Sequence, residues 1–208
     1  MRNIRILILF SFSFTLCFAQ KVDTVIVMPI YKSYFSYQTR TPLFVAYYLY
    51  NGGGDCSRKG ITFKTGGLKY SSTKKDYKSS GYEIGHMTPS QDFAFDCSKD
   101  SMTFFFWNAL PQTRTLNRGS WETLERKIRL LSKNNHLLII CGGFSFEKKI
   151  GNTSVPNYCW KIVKNLDTKE IKVYLFPNDN SDRVTEVSLS DLLTKLPSVS
   201  VQISMLCK

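Results

Sequence analysis

Residues 81–96 read GYEIGHMTPSQDFAFD, and residues 104–126 read FFFWNALPQTRTLNRGSWETLER. The first stretch places His86, one of only two histidines in the chain, on a Gly-His step after a short polar segment. The second runs through an amide-rich loop into an amphipathic segment that carries Asn117 and then Glu125. From Leu116 onward, Trp121, Leu124, Ile128 and Leu131 recur at three- and four-residue steps, which predicts a helix with one buried stripe. The two stretches together predict a strand-loop-helix unit with an imidazole, an amide and a carboxylate on it.

Outward from this unit the pattern is mostly that of strands. Residues 24–28 and 43–49 read as strands, and residues 51–55 (NGGGD) as a flexible loop. Residues 57–80 are lysine-rich and glycine-containing, as expected of an exposed connection with short strands. The apolar run 104–110 ends at Pro111. Residues 136–141 predict a buried strand holding His136, closed by Gly142-Gly143; residues 158–163 and 171–176 predict two more, with Asp167 in the turn between them. Residues 187–196 predict a final short helix. Strands on both sides of one long helix indicate an α+β domain with a mainly antiparallel central sheet. No repeat, low-complexity tract or interdomain linker interrupts residues 20–208, so one domain is expected there.

Residues 1–19 have the features of a secretory signal peptide. Arg2 and Arg5 precede an apolar run at 6–16, and small residues at Cys17 and Ala19 suit a cut before Gln20. The run is too short to span a bilayer comfortably. A secreted or periplasmic protein is expected, without stable membrane association. Its formal charge, +12 for the whole chain, is +10 without Arg2 and Arg5. That excess favours acidic polymers or anionic surfaces as partners, or else only solubility. Of the cysteines beyond the leader, Cys56 and Cys97 lie in polar loop-like sequence and are the preferred disulfide. Cys141 and Cys159 sit in apolar runs as expected of buried free thiols, and Cys207 is left over. No CxxC spacing is present and histidine is scarce, which argues against structural zinc.

Hydrolysis of a phosphodiester needs a base for the attacking water, a positive centre for the added charge, and help for the leaving oxygen. Histidine suits the first task, and Mg²⁺, which prefers oxygen ligands and keeps its own waters, suits the others. On one continuous helix, Asn117 and Glu125 would lie about 80° apart in azimuth and two turns apart along the axis. Both could then face one cleft. Taken singly, each residue has a plainer reading: Asn117 as an N-cap, Glu125 as a solvated helix residue, His86 as a structural histidine.

The combination resembles the DNA/RNA non-specific endonuclease family, which includes the endonuclease G enzymes and belongs to the ββα-metal (His-Me finger) nucleases. The resemblance rests on Gly85-His86 followed by Thr88-Pro89, on Asn108-x-x-Pro111-Gln112, and on Asn117-Arg118-Gly119-x-Trp121-x-x-Leu124-Glu125. It extends to Val45-Ala46-Tyr47, Pro156, Trp160-Lys161 and Pro177-Asn178. It implies a ββα-metal catalytic unit and hydrolysis of DNA and RNA through backbone contacts, leaving 5′-phosphate ends. The cofactor implied is Mg²⁺, with Mn²⁺ or another divalent cation as a substitute. His86 matches the family's general base, Asn117 its direct metal ligand and Glu125 the carboxylate that acts through a water of the metal. Asn108 matches an asparagine that helps fix the geometry. Arg58 is the best match for an upstream phosphate-binding arginine, with Lys59 next to it.

One departure stands out: the family usually reads Asp-Arg-Gly-His where this chain has Glu83-Ile84-Gly85-His86. Glu83 keeps a carboxylate to brace the loop, whereas Ile84 removes a positive charge beside the phosphate site. The departure keeps a second class in view, a catalytically weakened nucleic-acid-binding or adhesion protein on the same scaffold. A hydrolase of another phosphodiester or of phospholipid is a third.

Overall fold

The computed structural model describes residues 20–208, so the leader and its cut after Ala19 lie outside the described residues. The strands are β1 (Thr24–Val27), β2 (Lys32–Ser36), β3 (Thr41–Leu49), β4 (Tyr82–His86), β5 (Ala109–Thr113), β6 (Leu137–Ile150), β7 (Thr153–Asn165), β8 (Ile171–Pro177) and β9 (Thr185–Val187). The helices are α1 (Lys74–Tyr77), α2 (Cys97–Ser101), α3 (Arg114–Arg118), α4 (Ser120–Leu131), α5 (Leu189–Lys195) and α6 (Ser200–Cys207). Seven strands form one sheet in the order β1-β2-β3-β6-β7-β8-β9, every pair antiparallel. β4 and β5 form a separate antiparallel ribbon that leads directly into α3 and α4. The α+β class and the antiparallel sheet agree with the sequence reading.

The sheet is covered on both faces, which is why its central strands read as unbroken apolar runs rather than alternating ones. Side chains of β6 point alternately to the two faces. Ile139 and Cys141 meet Trp121, Leu124 and Ile128 of α4, with Leu110 and Leu116 from the ribbon side. Leu138 and Ile140 meet Leu192, Leu196 and Ile203 on the opposite face. Asn178 fastens the ribbon to the sheet: its Nδ2 donates to the carbonyls of Pro111 and Pro156 at 2.9 and 2.8 Å, and its Oδ1 accepts from Thr113 N at 2.9 Å. Among the described residues no helix is long and apolar enough to cross a membrane.

Several local expectations change. β6 does not end at Gly142-Gly143 but continues to Ile150. Those glycines are close-approach sites: a Cβ on Gly142 would stand 2.1 Å from the Leu43 carbonyl oxygen, and one on Gly143 2.7 Å from Pro156. The helix starting near Leu116 is interrupted at Gly119, separating α3 from α4. Leu131 leaves the buried stripe and is 42% exposed at the last turn of α4. His136 precedes β6, and its side chain is 59% exposed, stacked on Tyr50 and 3.3 Å from Asp167. Helix α6 has no counterpart in the sequence reading; its apolar residues lack a helical period, and Val201 and Met205 are exposed. The Cys56–Cys97 disulfide is present, with Cα atoms 5.3 Å apart, and Cys141, Cys159 and Cys207 are buried free thiols.

Candidate active site

The ribbon presents His86 at the end of β4, opposite Ala109. Gly85, opposite Leu110, leaves room for the Gln112 amide; a Cβ there would stand 1.8 Å from Gln112 Oε1. This explains the glycine before the histidine. The turn after His86 is held by Asn108. Met87 N donates to the Asn108 carbonyl at 2.8 Å, and Thr88 N donates to Asn108 Oδ1 at 2.9 Å. Asn108 Nδ2 donates to the carbonyls of Thr88 and Thr103, both at 2.9 Å. Asn108 is fully buried and its amide is spent on this turn, so it positions His86 from beneath.

The His86 ring packs against Phe63 and Phe104, with centroids 4.7 and 4.8 Å away. Its Nε2 is buried without a hydrogen-bond partner among the described residues. Burial, reinforced by the charge of Arg58, pushes the His86 pKa down to about 3. The imidazole is therefore neutral near pH 7.

Asn117, near the end of α3, is oriented by Glu83 of β4. Its Nδ2 donates to Glu83 Oε2 at 2.8 Å, and Arg118 binds the same carboxylate, Nε at 3.1 Å and a terminal nitrogen at 2.7 Å. Burial works against ionised Glu83, but the Arg118 and Asn117 hydrogen bonds and the nearby arginine charges hold its carboxyl below its ordinary range. With the amide nitrogen committed to a carboxylate, Asn117 Oδ1 is left as the free acceptor. Asn117 is not the N-cap of the long helix. Gly119 precedes α4 with φ −101° and ψ −114°, and Asp182, from the loop after β8, accepts from Ser120 N at 2.6 Å. A Cβ on Gly119 would meet that Asp182 carboxylate at 2.2 Å.

Glu125 lies on the second turn of α4 and is held by Lys161 of β7, whose Nζ is 3.2 Å from Glu125 Oε1. Lys161 is fully buried, and its ammonium stands 4.0 Å from the Trp121 ring centroid. Next to this pair, buried Asp92 accepts from the Tyr47 hydroxyl at 3.0 Å and pairs with Arg129. Burial pushes both the Glu125 and Asp92 carboxyls up, while the Lys161 and Arg129 charges pull them back. Two carboxylates and two cations thus share one buried network.

These elements enclose a cleft of about 440 Å³ whose walls include Arg58, His86, Asn117, Arg118, Glu125 and Arg129. Arg58 reaches it with a guanidinium nitrogen 3.4 Å from Ser90 Oγ, whereas exposed Lys59 does not line it. The chain therefore brings four of the expected residues, Arg58, His86, Asn117 and Glu125, to one cavity. Glu83 stands behind Asn117 and Asn108 beneath His86. The two-turn, single-helix relation of Asn117 to Glu125 does not hold, since Gly119 breaks the axis; the cleft gathers both all the same. Ile84 turns to an apolar cluster with Tyr77, Phe106 and Val155.

Arg118, Arg129, Asp92 and Lys161 had no role assigned from sequence. Lys161 alone left a signal, as the one cation inside the strand-like run YCWKIV. Among the described residues no group of three or more His, Cys, Asp or Glu is placed to hold a metal. The donor set fits a hard cation taken by one amide oxygen with its own waters, and not a closed protein cage.

A profile of the DNA/RNA non-specific endonuclease family matches residues 13–201. A nuclease of Nostoc sp. is 36% identical over 139 residues, which cover 58% of this chain and 50% of that one. Human mitochondrial endonuclease G is 25% identical over 146 residues, 61% of this chain and 48% of that one. The chain thus spans about half the length of these curated relatives. The crystal structure of an EndoG/EndoGI complex superposes with a TM-score of 0.74 at 22% identity, covering 83% of each chain, and so shares the fold.

Proposed function

The chain belongs to the DNA/RNA non-specific endonuclease family, and from that membership we propose that it is an exported endonuclease hydrolysing the phosphodiester backbone of both DNA and RNA. The observation that carries the mechanism is the Glu83–Asn117 hydrogen bond, which frees Asn117 Oδ1 in the same cleft as a neutral His86.

His86 takes the proton of the attacking water, as the one histidine whose ring lines the cleft. Arg58 grips the phosphate, and its positive field also keeps His86 neutral. The P–O3′ bond breaks, leaving a 5′-phosphate and a 3′-hydroxyl. Asn117 Oδ1 and, through water, Glu125 would hold Mg²⁺, which would supply positive charge for the phosphate and the leaving group. Glu83 keeps the Asn117 amide turned the right way, and Lys161 holds Glu125 in place and opposes the upward push of burial on its carboxyl.

Purified protein from residue 20 onward should degrade plasmid and RNA with Mg²⁺, and EDTA should abolish this. Cleavage that persists in EDTA, or its absence over a range of Mg²⁺ and Mn²⁺ concentrations, would overturn the reading. Mass spectrometry of the exported chain should find Gln20 at its start.

A further inference from the structure

Beside the cleft, and sharing its Gln91 and Arg129, lies a second depression of about 400 Å³. Its floor is the backbone of Gly52, Gly53 and Gly54, and Gln91 ties that loop to the cleft wall by donating to the Gly54 carbonyl at 2.8 Å. Its other wall is the exposed face of α4 and the turn after it: Arg126, Leu130 and Lys133, at steps of four and three residues. Leu130 is 71% exposed between these two cations. Gly53 has φ +118°, and a Cβ there would stand 3.4 Å from Lys133 Nζ and 3.8 Å from Arg129 Cδ, narrowing the floor.

An aliphatic wall with cations at its rim, continuous with a cleft that binds a phosphodiester, has the chemistry of a nucleotide. We infer that this depression holds the nucleotide next to the scissile phosphate on the substrate strand. The base lies against Leu130 and the glycine backbone, and the flanking phosphate meets Arg126 and Lys133. The Arg126–Glu122 pair, 3.6 Å apart and exposed at both ends, is loose enough to yield to a phosphate. Arg129, anchored by Asp92, bridges the two cavities and sets their spacing. This inference rests on the nuclease reading, since the cleft defines the strand's path.

The test compares Lys133→Glu and Leu130→Asn with Lys195→Glu, which reverses a charge on α5 across the sheet. Binding of a fluorescein-labelled oligothymidylate is followed by anisotropy in EDTA. Turnover with Mg²⁺ is measured on the same strand and on bis(p-nitrophenyl) phosphate, a diester too small to leave the cleft. Lys133→Glu and Leu130→Asn should each weaken strand binding by roughly tenfold, on the scale of one stacked or phosphate-anchored nucleotide, and raise KM for the strand. Hydrolysis of the small diester should be unchanged, and Lys195→Glu should do little. Equal losses on strand and small diester, an equal loss from Lys195→Glu, or no loss of strand binding would each overturn the subsite. If the wild type hydrolyses neither diester, the nuclease reading fails, while the anisotropy comparison still decides whether the depression binds a strand.

Discussion

The buried Lys161 ammonium stands 3.2 Å from the Glu125 carboxylate, joining the middle of the sheet to the cleft. Replacing Lys161 with Met would leave Glu125 beside Asp92 with one cation fewer. Such a loss from a buried pair costs about 3–5 kcal/mol, measurable as a lower urea midpoint. It also raises the Glu125 carboxyl further, so the acid limb of the activity profile should move to higher pH. An unchanged limb would separate Lys161 from the chemistry.

Glu83→Gln removes the ionised acceptor that turns the Asn117 amide. A partner behind a metal ligand typically contributes 10–100-fold in metal affinity or activity. The Mg²⁺ concentration for half-maximal cleavage should therefore rise by roughly 10–100-fold, with activity recovering at saturating metal. Asn117→Ala, in contrast, should remain inactive at any Mg²⁺ concentration.

His86→Ala should lower kcat by about 10²–10⁴-fold while strand binding in EDTA stays intact. His136→Gln should be close to wild type, because that ring lies outside the cleft, exposed against Tyr50 and Asp167. Comparable losses in the two variants would sink the assignment of His86 as the base.

The His86 pKa of about 3 makes a sign-definite prediction for pH. Between that value and the ordinary imidazole pKa near 6.5, the unfolded chain binds a proton that the folded chain refuses. The His86 contribution to stability is then present above about pH 6.5 and is lost as pH falls toward 3. With only two histidines in the chain, NMR can assign the rings through His136→Gln. The His86 resonance should not move through pH 6.5; a normal titration there would refute the buried neutral ring.

The Cys56–Cys97 bridge closes a sequence separation of 41 residues that includes Arg58 and His86. Loop-closure entropy puts its stabilisation at about 4 kcal/mol. Cys56→Ser with Cys97→Ser should lower the melting temperature, and cleavage should weaken through loss of Arg58 placement. No fall in melting temperature would show that packing alone holds the segment.

Much of this architecture is legible in the sequence, and what is not has a physical cause. His86, Asn117 and Glu125 come from one continuous strand-loop-helix stretch, so their motif is legible in the sequence even though the relation between amide and carboxylate is set elsewhere. The stripe of Trp121, Leu124 and Ile128 is visible because a packed helix repeats its contacts locally. Leu131 continues the period but not the packing, which periodicity alone does not report. The break falls on Gly119, a weak helix former, but the Asp182 carboxylate that caps Ser120 beyond it comes from far along the chain. The network of Asp92, Glu125, Arg129 and Lys161 draws on separate elements, so its members look like ordinary charged residues until the sheet assembles. His136 continues into an apolar run yet stays outside it, because the strand begins one residue later.

The distant cap on Ser120 bears on modularity. The hairpin and helix that carry the proposed base and metal ligand look like a portable cassette, yet the start of the active helix and its acid are governed from elsewhere. Asp182 fixes where α4 begins and Lys161 fixes the acid on its second turn. Excised or grafted alone, residues 81–131 would lose Asn178, Asp182 and Lys161, and with them the relation between amide and carboxylate. The smallest working unit therefore extends at least through the loop that carries Asp182, and the catalytic motif is a property of the whole sheet.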